Sequence, residues 1–312
     1  MKYFVTGGAG FIGSALVKRL LDLNNHVTVY DDLSAGKMEY IKDHITNKKF
    51  KFVKGSILIF SHLLKAMKNH DFVYHLAANS DIKLGSKDIK RDFKINTVGT
   101  INVLDAMIKN KIKSIAFAST SAVFGKPTEI PTPENYGPCL PASFYGASKL
   151  SCEGFISSYS EIFGLKAWIF RFANITGIPA THGIIHDFVK KIKNNPNELK
   201  VLGDGNQEKS YITNTMLVDS MEYIIKKTKS KKERIFLYNI GNNDKVTVRK
   251  ITELFVSINQ LNPKIKFTGG KVGWKGDVPL MQLDNKKIKK LGWKPEKNST
   301  ECISYSISQN KV

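Results

Sequence analysis

Short apolar runs alternate with amphipathic stretches along most of the chain. The runs Tyr3–Val5, Val27–Tyr30, Phe50–Val53, Phe72–Leu76, Ser114–Ala118, Ala167–Phe172 and Ile235–Ile240 predict buried strands. Ser14–Leu21, Asn96–Lys109 and Tyr145–Phe163 carry a helical spacing of apolar positions. Strands separated by helices predict an α/β protein with a doubly wound parallel sheet, covered on both faces and joined by right-handed crossovers. In such sheets ligands bind beyond the carboxyl ends of the strands. After Asn174 the alternation loosens. His182–Ile192 and Lys250–Asn259 read as helical, and Val201–Ser210 as turn-rich and polar. Leu217–Lys227 and Ile235–Ile240 read as a return to the main sheet. The expected division is a first domain of residues 1–174 plus about 215–242, with a smaller discontinuous α/β cap of about 175–214 and 243–312.

The first turn carries the densest chemical signal. Gly7, Gly10 and Gly13 follow the first apolar run at three-residue spacing and lead into a helical pattern. Strand, glycine turn, helix is the context in which this spacing binds a dinucleotide. Gly7 permits the turn, Gly10 admits a pyrophosphate, and Gly13 lets helix pack on strand. The helix N-terminus offers N–H groups and a partial positive charge to the phosphates. Asp31 ends the second apolar run, 18 residues after Gly13, where a carboxylate accepts hydrogen bonds from an adenosine ribose. Its charge favours NAD over NADP, and the nearest following cation is Lys37.

Composition narrows the remaining classes. The chain has 312 residues, 42% of them hydrophobic, enough for a sizeable core. No apolar run approaches the ~18 residues of a membrane span, and the first strand begins at once, with no leader pattern. Cys139, Cys152 and Cys302 are sparse and unpatterned, which fits reduced thiols in the cytoplasm and no metal site. His182 and His186 have the spacing of a metal pair but no evident third ligand. His75 reads as a packed or hydrogen-bonded residue. The net charge of +21 comes from scattered lysines without a nucleic-acid motif, so no nucleic-acid partner is expected. It would attract an anionic substrate.

Tyr145 and Lys149 stand at i and i+4 and share a helix face. An ammonium beside a phenol favours the phenolate and brings its pKa down from ~10 toward neutrality. Such a tyrosine takes a proton from a sugar hydroxyl while hydride leaves the same carbon. Thr120 offers a hydroxyl to the same substrate oxygen. Together with Thr6–Gly13, Asp31, His75–Ala78, Asn96, Ser119, Arg171–Asn174 and Leu291–Trp293, these residues make the resemblance plain. The chain resembles the extended short-chain dehydrogenase/reductase family, in its NAD-dependent nucleotide-sugar epimerase/dehydratase branch. It is most similar there to the UDP-glucose 4-epimerases.

That resemblance implies a Rossmann-like NAD-binding domain, a substrate-binding cap and a homodimer formed through Asn96–Lys109 and Tyr145–Phe163. It implies Tyr145 as base, Thr120 as its hydrogen-bonding partner and Lys149 also on the nicotinamide ribose. It assigns the cofactor to Gly7, Gly10, Phe11, Ile12, Gly13, Asp31, Asp32, Ser56, Ile57, Leu76, Ala77, Ala78, Asn96 and Ser119, with Tyr145 and Lys149. It assigns the substrate to Ser80, Thr120, Ser121, Asn174, Lys209, Tyr211 and Met281, with Asn174 on the diphosphate. The implied reaction oxidises C4 of a UDP-hexose, turns the 4-keto sugar over and returns hydride to its other face. A net NAD-dependent 4-reductase or dehydrogenase, and a non-catalytic NAD sensor, are the alternatives.

Departures from the family pattern bear on the substrate. Gly55-Ser56 stands for Gly-Asp, Phe124-Gly125 for Tyr-Gly, and Lys209-Ser210-Tyr211 for Arg-Asp-Tyr. Ala122 replaces the Glu of dehydratases and decarboxylases, which argues against both. Lys271 or Lys275 stands in for a phosphate-gripping arginine, which lysine cannot copy as a fork. Trp274 is expected near the nucleotide. Met281 sits where galactose-type enzymes carry a bulky Tyr, so an N-acetylated or carboxylated sugar is expected to fit.

Overall fold

The computed structural model describes residues 1–80, 88–179, 183–270 and 280–312. Lys271, Trp274, Lys275 and His182 lie outside the described residues. Two compact units emerge. The first comprises Met1–Gly125, Gly137–Arg171 and Met221–Tyr238, and the second Lys126–Tyr136, Phe172–Ser220 and Asn239–Val312. Lys126–Tyr136 joins the second unit, a placement that nothing in its Pro-rich sequence signals.

The elements follow in order β1 (Lys2–Thr6), α1 (Phe11–Asp22), β2 (His26–Asp31), β3 (Phe50–Lys54), α2 (Phe60–Ala66) and β4 (Phe72–His75). Then come α3 (Ile89–Asp92), a π-helical stretch (Phe93–Val98), α4 (Gly99–Lys109), β5 (Ser114–Thr120), α5 (Phe144–Phe163) and β6 (Lys166–Phe172). Further on are β7 (Asn174–Thr176), α6 (Ile184–Asn194), β8 (Glu198–Val201), β9 (Glu208–Lys209), β10 (Tyr211–Thr213), α7 (Asn214–Thr228) and β11 (Ile235–Ile240). The chain closes with β12 (Val246–Thr247), α8 (Val248–Ile258), β13 (Lys264–Phe267), β14 (Leu280–Met281), α9 (Lys286–Lys290) and α10 (Ser299–Gln309).

Each predicted sheet strand is present. They form one sheet in the order β11-β6-β5-β4-β1-β2-β3. The pairings of β1 with β2 and β4, of β2 with β3 and of β4 with β5 are parallel. Strands buried on both faces read as unbroken apolar runs, which is why they were legible. The order reverses beside β1, so β1 and β4 diverge from one crevice at their carboxyl ends, the switch point of such sheets. The core here is built on Phe4, Tyr30, Val73, Leu104, Phe117, Ile156 and Ile169. The expected single helix over 96–109 is instead a π turn running into α4. A π turn shifts the register by one residue and turns Asn96 and Thr97 toward α5. There Thr97 Oγ1 meets Ser151 Oγ at 2.8 Å.

The second unit has its own core of Ile185, Phe188, Leu199, Tyr211, Ile251, Phe255 and Ile303. Its strands are two to four residues long and pair in small separate sheets. Such lengths give no readable alternation, so the 201–210 stretch looked like turn alone although β9 lies in it. Buried amides replace sheet area here. The Asn242 side chain donates to Tyr211 O at 2.6 Å and Lys297 O at 3.0 Å, and its backbone exchanges bonds with Ser210 Oγ. We expect Asn242→Leu to leave these buried acceptors without that donor and to cost about 2–3 kcal/mol. Thermal unfolding that leaves the variant within 0.5 kcal/mol of wild type would show that the amide is dispensable.

Candidate active site

The glycine turn sits between β1 and α1. Gly7 has φ +70°, and a Cβ there would lie 2.6 Å from Ala77 N. A Cβ on Gly13 would lie 2.1 Å from Gly7 O. Both glycines are therefore required by the fold itself. Gly10 differs: an added Cβ would meet only Gly7 O, at 3.2 Å. Little of the protein crowds that face, and the missing side chain leaves a cradle for a ligand. No side chain caps α1 at Gly10, and its first turn, which includes Phe11, Ile12 and Gly13, carries no acidic residue. These features suit a pyrophosphate.

Asp31 is buried at the end of β2. Its Oδ2 accepts Ala9 N at 3.0 Å and its Oδ1 accepts Leu33 N at 2.9 Å. Burial raises its pKa, while these backbone donors pull the other way. The carboxylate thus braces the glycine turn and keeps further lone pairs for a ribose. Asp32 is exposed and accepts Ser34 N at 2.9 Å. Ser56 accepts the Tyr30 hydroxyl on its carbonyl at 3.0 Å, and Ile57 packs against Gly99. Leu76 and Ala77 are tied back to Thr6, through its O at 3.1 Å and its Oγ1 at 3.3 Å. Ala78 is part-exposed and Ser80 exposed.

His75, Thr6, Thr100 and Asn96 form one directed line of hydrogen bonds. The Thr100 hydroxyl donates to Asn96 O at 2.6 Å, so at its 2.9 Å contact with His75 Nε2 it must accept. His75 therefore carries its proton on Nε2, and Nδ1 accepts the Thr6 hydroxyl at 2.7 Å. Burial, and then the charge of Lys149, push the His75 pKa down to about 3. The Asn96 amide is fully committed. It accepts Asn79 N at 2.8 Å and donates to Asn79 O at 3.2 Å and Ser148 Oγ at 2.9 Å. Ser148 Oγ in turn donates to Tyr145 O at 2.8 Å. The turn beneath the glycines is thus linked to the first turn of α5.

That helix presents Tyr145, Lys149 and Glu153 on one face, at i, i+4 and i+8. Thr120, at the end of β5, is hydrogen-bonded to the Tyr145 oxygen, which favours the phenolate. Burial outweighs that bond and pushes the Tyr145 pKa above its ordinary value. The expectation that Lys149 brings it toward neutrality is not met in this arrangement. The Lys149 ammonium lies 4.3 Å from the centre of the Phe117 ring, and burial lowers its own pKa to about 8. Ser119 turns inward, donating to Glu153 Oε1 at 2.5 Å. Ser121 is part-exposed in the turn after Thr120.

In the second unit Asn174 pairs with Tyr211 across β7 and β10 and donates to Ser210 O at 3.3 Å. Lys209 pairs with Met281 across β9 and β14. Tyr211 and Met281 are buried. Sequence reasoning gave no role to Glu153, Ser148 or Asn79. The i+4 step from Lys149 was the one signal that could have marked Glu153.

The His75 line sets a pH dependence. The ring is neutral when folded, with a pKa of about 3, and titrates near 6.5 when unfolded. Its contribution is fully present above ~6.5 and is lost as pH falls toward 3. Between pH 7 and 5 we expect wild type to lose about 2 kcal/mol that His75→Gln does not lose. Urea unfolding at both pH values measures this, and equal losses in the two proteins would contradict it.

Comparisons with known proteins agree with this geometry. The NAD dependent epimerase/dehydratase family matches residues 3–241. A protein of Methanocaldococcus jannaschii described as a putative UDP-glucose 4-epimerase is 32% identical, covering 98% of this chain and 97% of its own. A solved UDP-galactose 4-epimerase superposes with TM-score 0.90 at 34% identity, covering 99% of this chain and 98% of its own. A UDP-N-acetylglucosamine 4-epimerase from Methanobrevibacter ruminantium, solved with UDP-N-acetylmuramic acid, gives TM-score 0.85 at 26% identity, covering 98% and 96%. With most of its length matched and its glycine turn, Asp31, Tyr145 and Lys149 in place, the chain belongs to the NAD dependent epimerase/dehydratase family.

Proposed function

We propose that this protein is an NAD-dependent UDP-sugar 4-epimerase. The observation that carries the reading is Thr120 bonded to Tyr145, with Lys149 one helical turn on, linked to a glycine turn whose Gly10 face is left open. NAD fits that cradle, and when bound it supplies a hydride acceptor that can return the hydride. Gly7, Gly10, Gly13 and Asp31 hold its adenosine half, and Lys149 its nicotinamide ribose. The residues of this chain manage the proton. The Tyr145 phenolate, the form that the Thr120 hydrogen bond favours, takes it from the sugar C4 hydroxyl as the C4–H bond breaks, and Thr120 holds the same oxygen by a hydrogen bond. In the return half the phenol gives the proton back. A phenol whose pKa is raised by burial suits that acid step.

We assign cofactor binding to the first unit and nucleotide-sugar binding, through Asn174, Lys209, Tyr211 and Met281, to the second. Met281 in place of a bulky aromatic favours an N-acetylated or carboxylated sugar. The likeness to the N-acetylglucosamine epimerase supports this reading. The net charge of +21 would draw in the anionic substrate. The competing reading, a net dehydrogenase or reductase, rests on Ser56. It lacks a carboxylate, and its hydroxyl accepts Leu58 N at 3.4 Å. We place the enzyme in the cytoplasm. Among the described residues no helix is long and apolar enough to cross a membrane.

With UDP-glucose, UDP-N-acetylglucosamine and UDP-glucuronate offered in turn, we expect C4 inversion of at least one by NMR. Tyr145→Phe should reduce turnover by about 10²–10⁴-fold while NAD binding persists. Turnover of UDP-glucose alone would overturn the sugar assignment, and unchanged turnover in Tyr145→Phe would overturn the mechanism.

The chain is proposed to dimerise through α4 and α5. On α5, Phe144, Phe155, Ile162 and Phe163 are all exposed large apolar residues, and an apolar patch of this kind marks an interaction surface. Ile162→Glu should convert a dimer to a monomer in sedimentation velocity. A wild type that is already monomeric would remove the proposal.

A further inference from the structure

Beside the catalytic side chains lies a buried ion pair that the proposed reaction does not use. Glu153 on α5 and Arg171 on β6 are joined twice, Nε to Oε1 at 3.0 Å and Nη2 to Oε2 at 2.7 Å. Both residues are more than nine-tenths buried. Glu153 Oε1 also accepts the Ser119 hydroxyl at 2.5 Å. The Arg171 guanidinium lies 4.6 Å from the centre of the Phe124 ring, in the turn that follows Thr120. One pair thus grips α5, β5, β6 and that turn. Ser119 is the residue before Thr120, and Glu153 is one helical turn beyond Lys149.

A buried pair of this kind is a poor source of stability. Desolvating two charges costs about as much as their attraction returns, and apolar residues of similar size often serve the fold as well. Its place here calls for another use. From these contacts we infer that Glu153 and Arg171 are positioning residues for the epimerase reaction, fixing Thr120 against Tyr145 and keeping a negative charge beside Lys149. The inference rests on the proposed function.

The carboxylate is one of several charged or titratable groups around Lys149. Cys152 and Glu153 face it from α5, His75 from β4, Asp92 lies near Tyr145 at the end of α3, and Arg171 stands behind Glu153 on β6. Burial disfavours the Lys149 ammonium, and Cys152 and then Glu153 act against that.

The test is the balanced replacement Glu153→Leu with Arg171→Met, which removes both charges of the pair together, alongside Ser119→Ala, which removes one hydroxyl and keeps both charges. Wild-type activity in the same assay establishes the underlying reading, and its absence would fail that reading rather than this one. For the double variant we expect a melting temperature near wild type, a kcat lower by about 10–100-fold and KM within about threefold. We also expect the alkaline limb of kcat against pH to move down by about one unit, because a carboxylate one helical turn from Lys149 is lost. Ser119→Ala should lower kcat with no movement of the limb. A folded double variant with wild-type kcat and pH profile would overturn the inference. Should the double variant not fold, wild-type kcat in Ser119→Ala would overturn it and a lowered kcat with an unmoved limb would support it.

Discussion

The first unit depends on one buried neutral histidine. His75 accepts from Thr6 and donates to Thr100, and Thr100 passes the line to Asn96. Thr6 ends the strand that feeds the glycine turn, and Asn96 braces the helix that carries Tyr145 and Lys149. Every donor and acceptor in the line has a single consistent direction. Remove the ring, or charge it, and several buried groups lose partners together, which is costly in a low-dielectric interior. A protonated imidazole would also stand near the ammonium of Lys149. The arrangement that places the glycine cradle relative to the proton-transferring groups is therefore also sensitive to acid.

Around that line the sheet provides direction. The reversal of strand order beside β1 opens a crevice at the carboxyl ends of β1 and β4. Gly10 contributes open space there, Asp31 a braced carboxylate, and Thr120 a hydroxyl on the next strand but one. The π turn at Phe93–Val98 is the local irregularity that makes this work. Its extra residue turns the Asn96 amide toward both Asn79 and Ser148, which a regular helix from residue 96 would not do.

Much of this was legible in the sequence because the signals are strong and local. Each sheet strand is an apolar run, the glycine spacing is short, and Tyr145 with Lys149 lie one turn apart. The second unit was less legible because its strands are two to four residues long and its stability rests on buried amides such as Asn242, which have no period. The bonds of Asn96 to Asn79 and Ser148, beyond its expected place at the cofactor, were hidden for the same reason, since a π turn has no sequence signature at this length. The Tyr145 pKa was misjudged because spacing shows that Lys149 is near but not how deeply the phenol is buried. Glu153 and Arg171 are 18 residues apart, so only the fold reveals that they are a pair.

In the proposed reaction hydride leaves and returns to C4 of the same sugar without net oxidation. A UDP-hexose deuterated at C4, chosen from those the protein turns over and offered with NAD and no other redox partner, follows that hydride. Deuterium is expected to stay at C4 of the inverted product, with no reduced nicotinamide accumulating in solution. Deuterium appearing in free reduced cofactor, with a 4-keto sugar released in equal amount, would contradict it and establish a dehydrogenase.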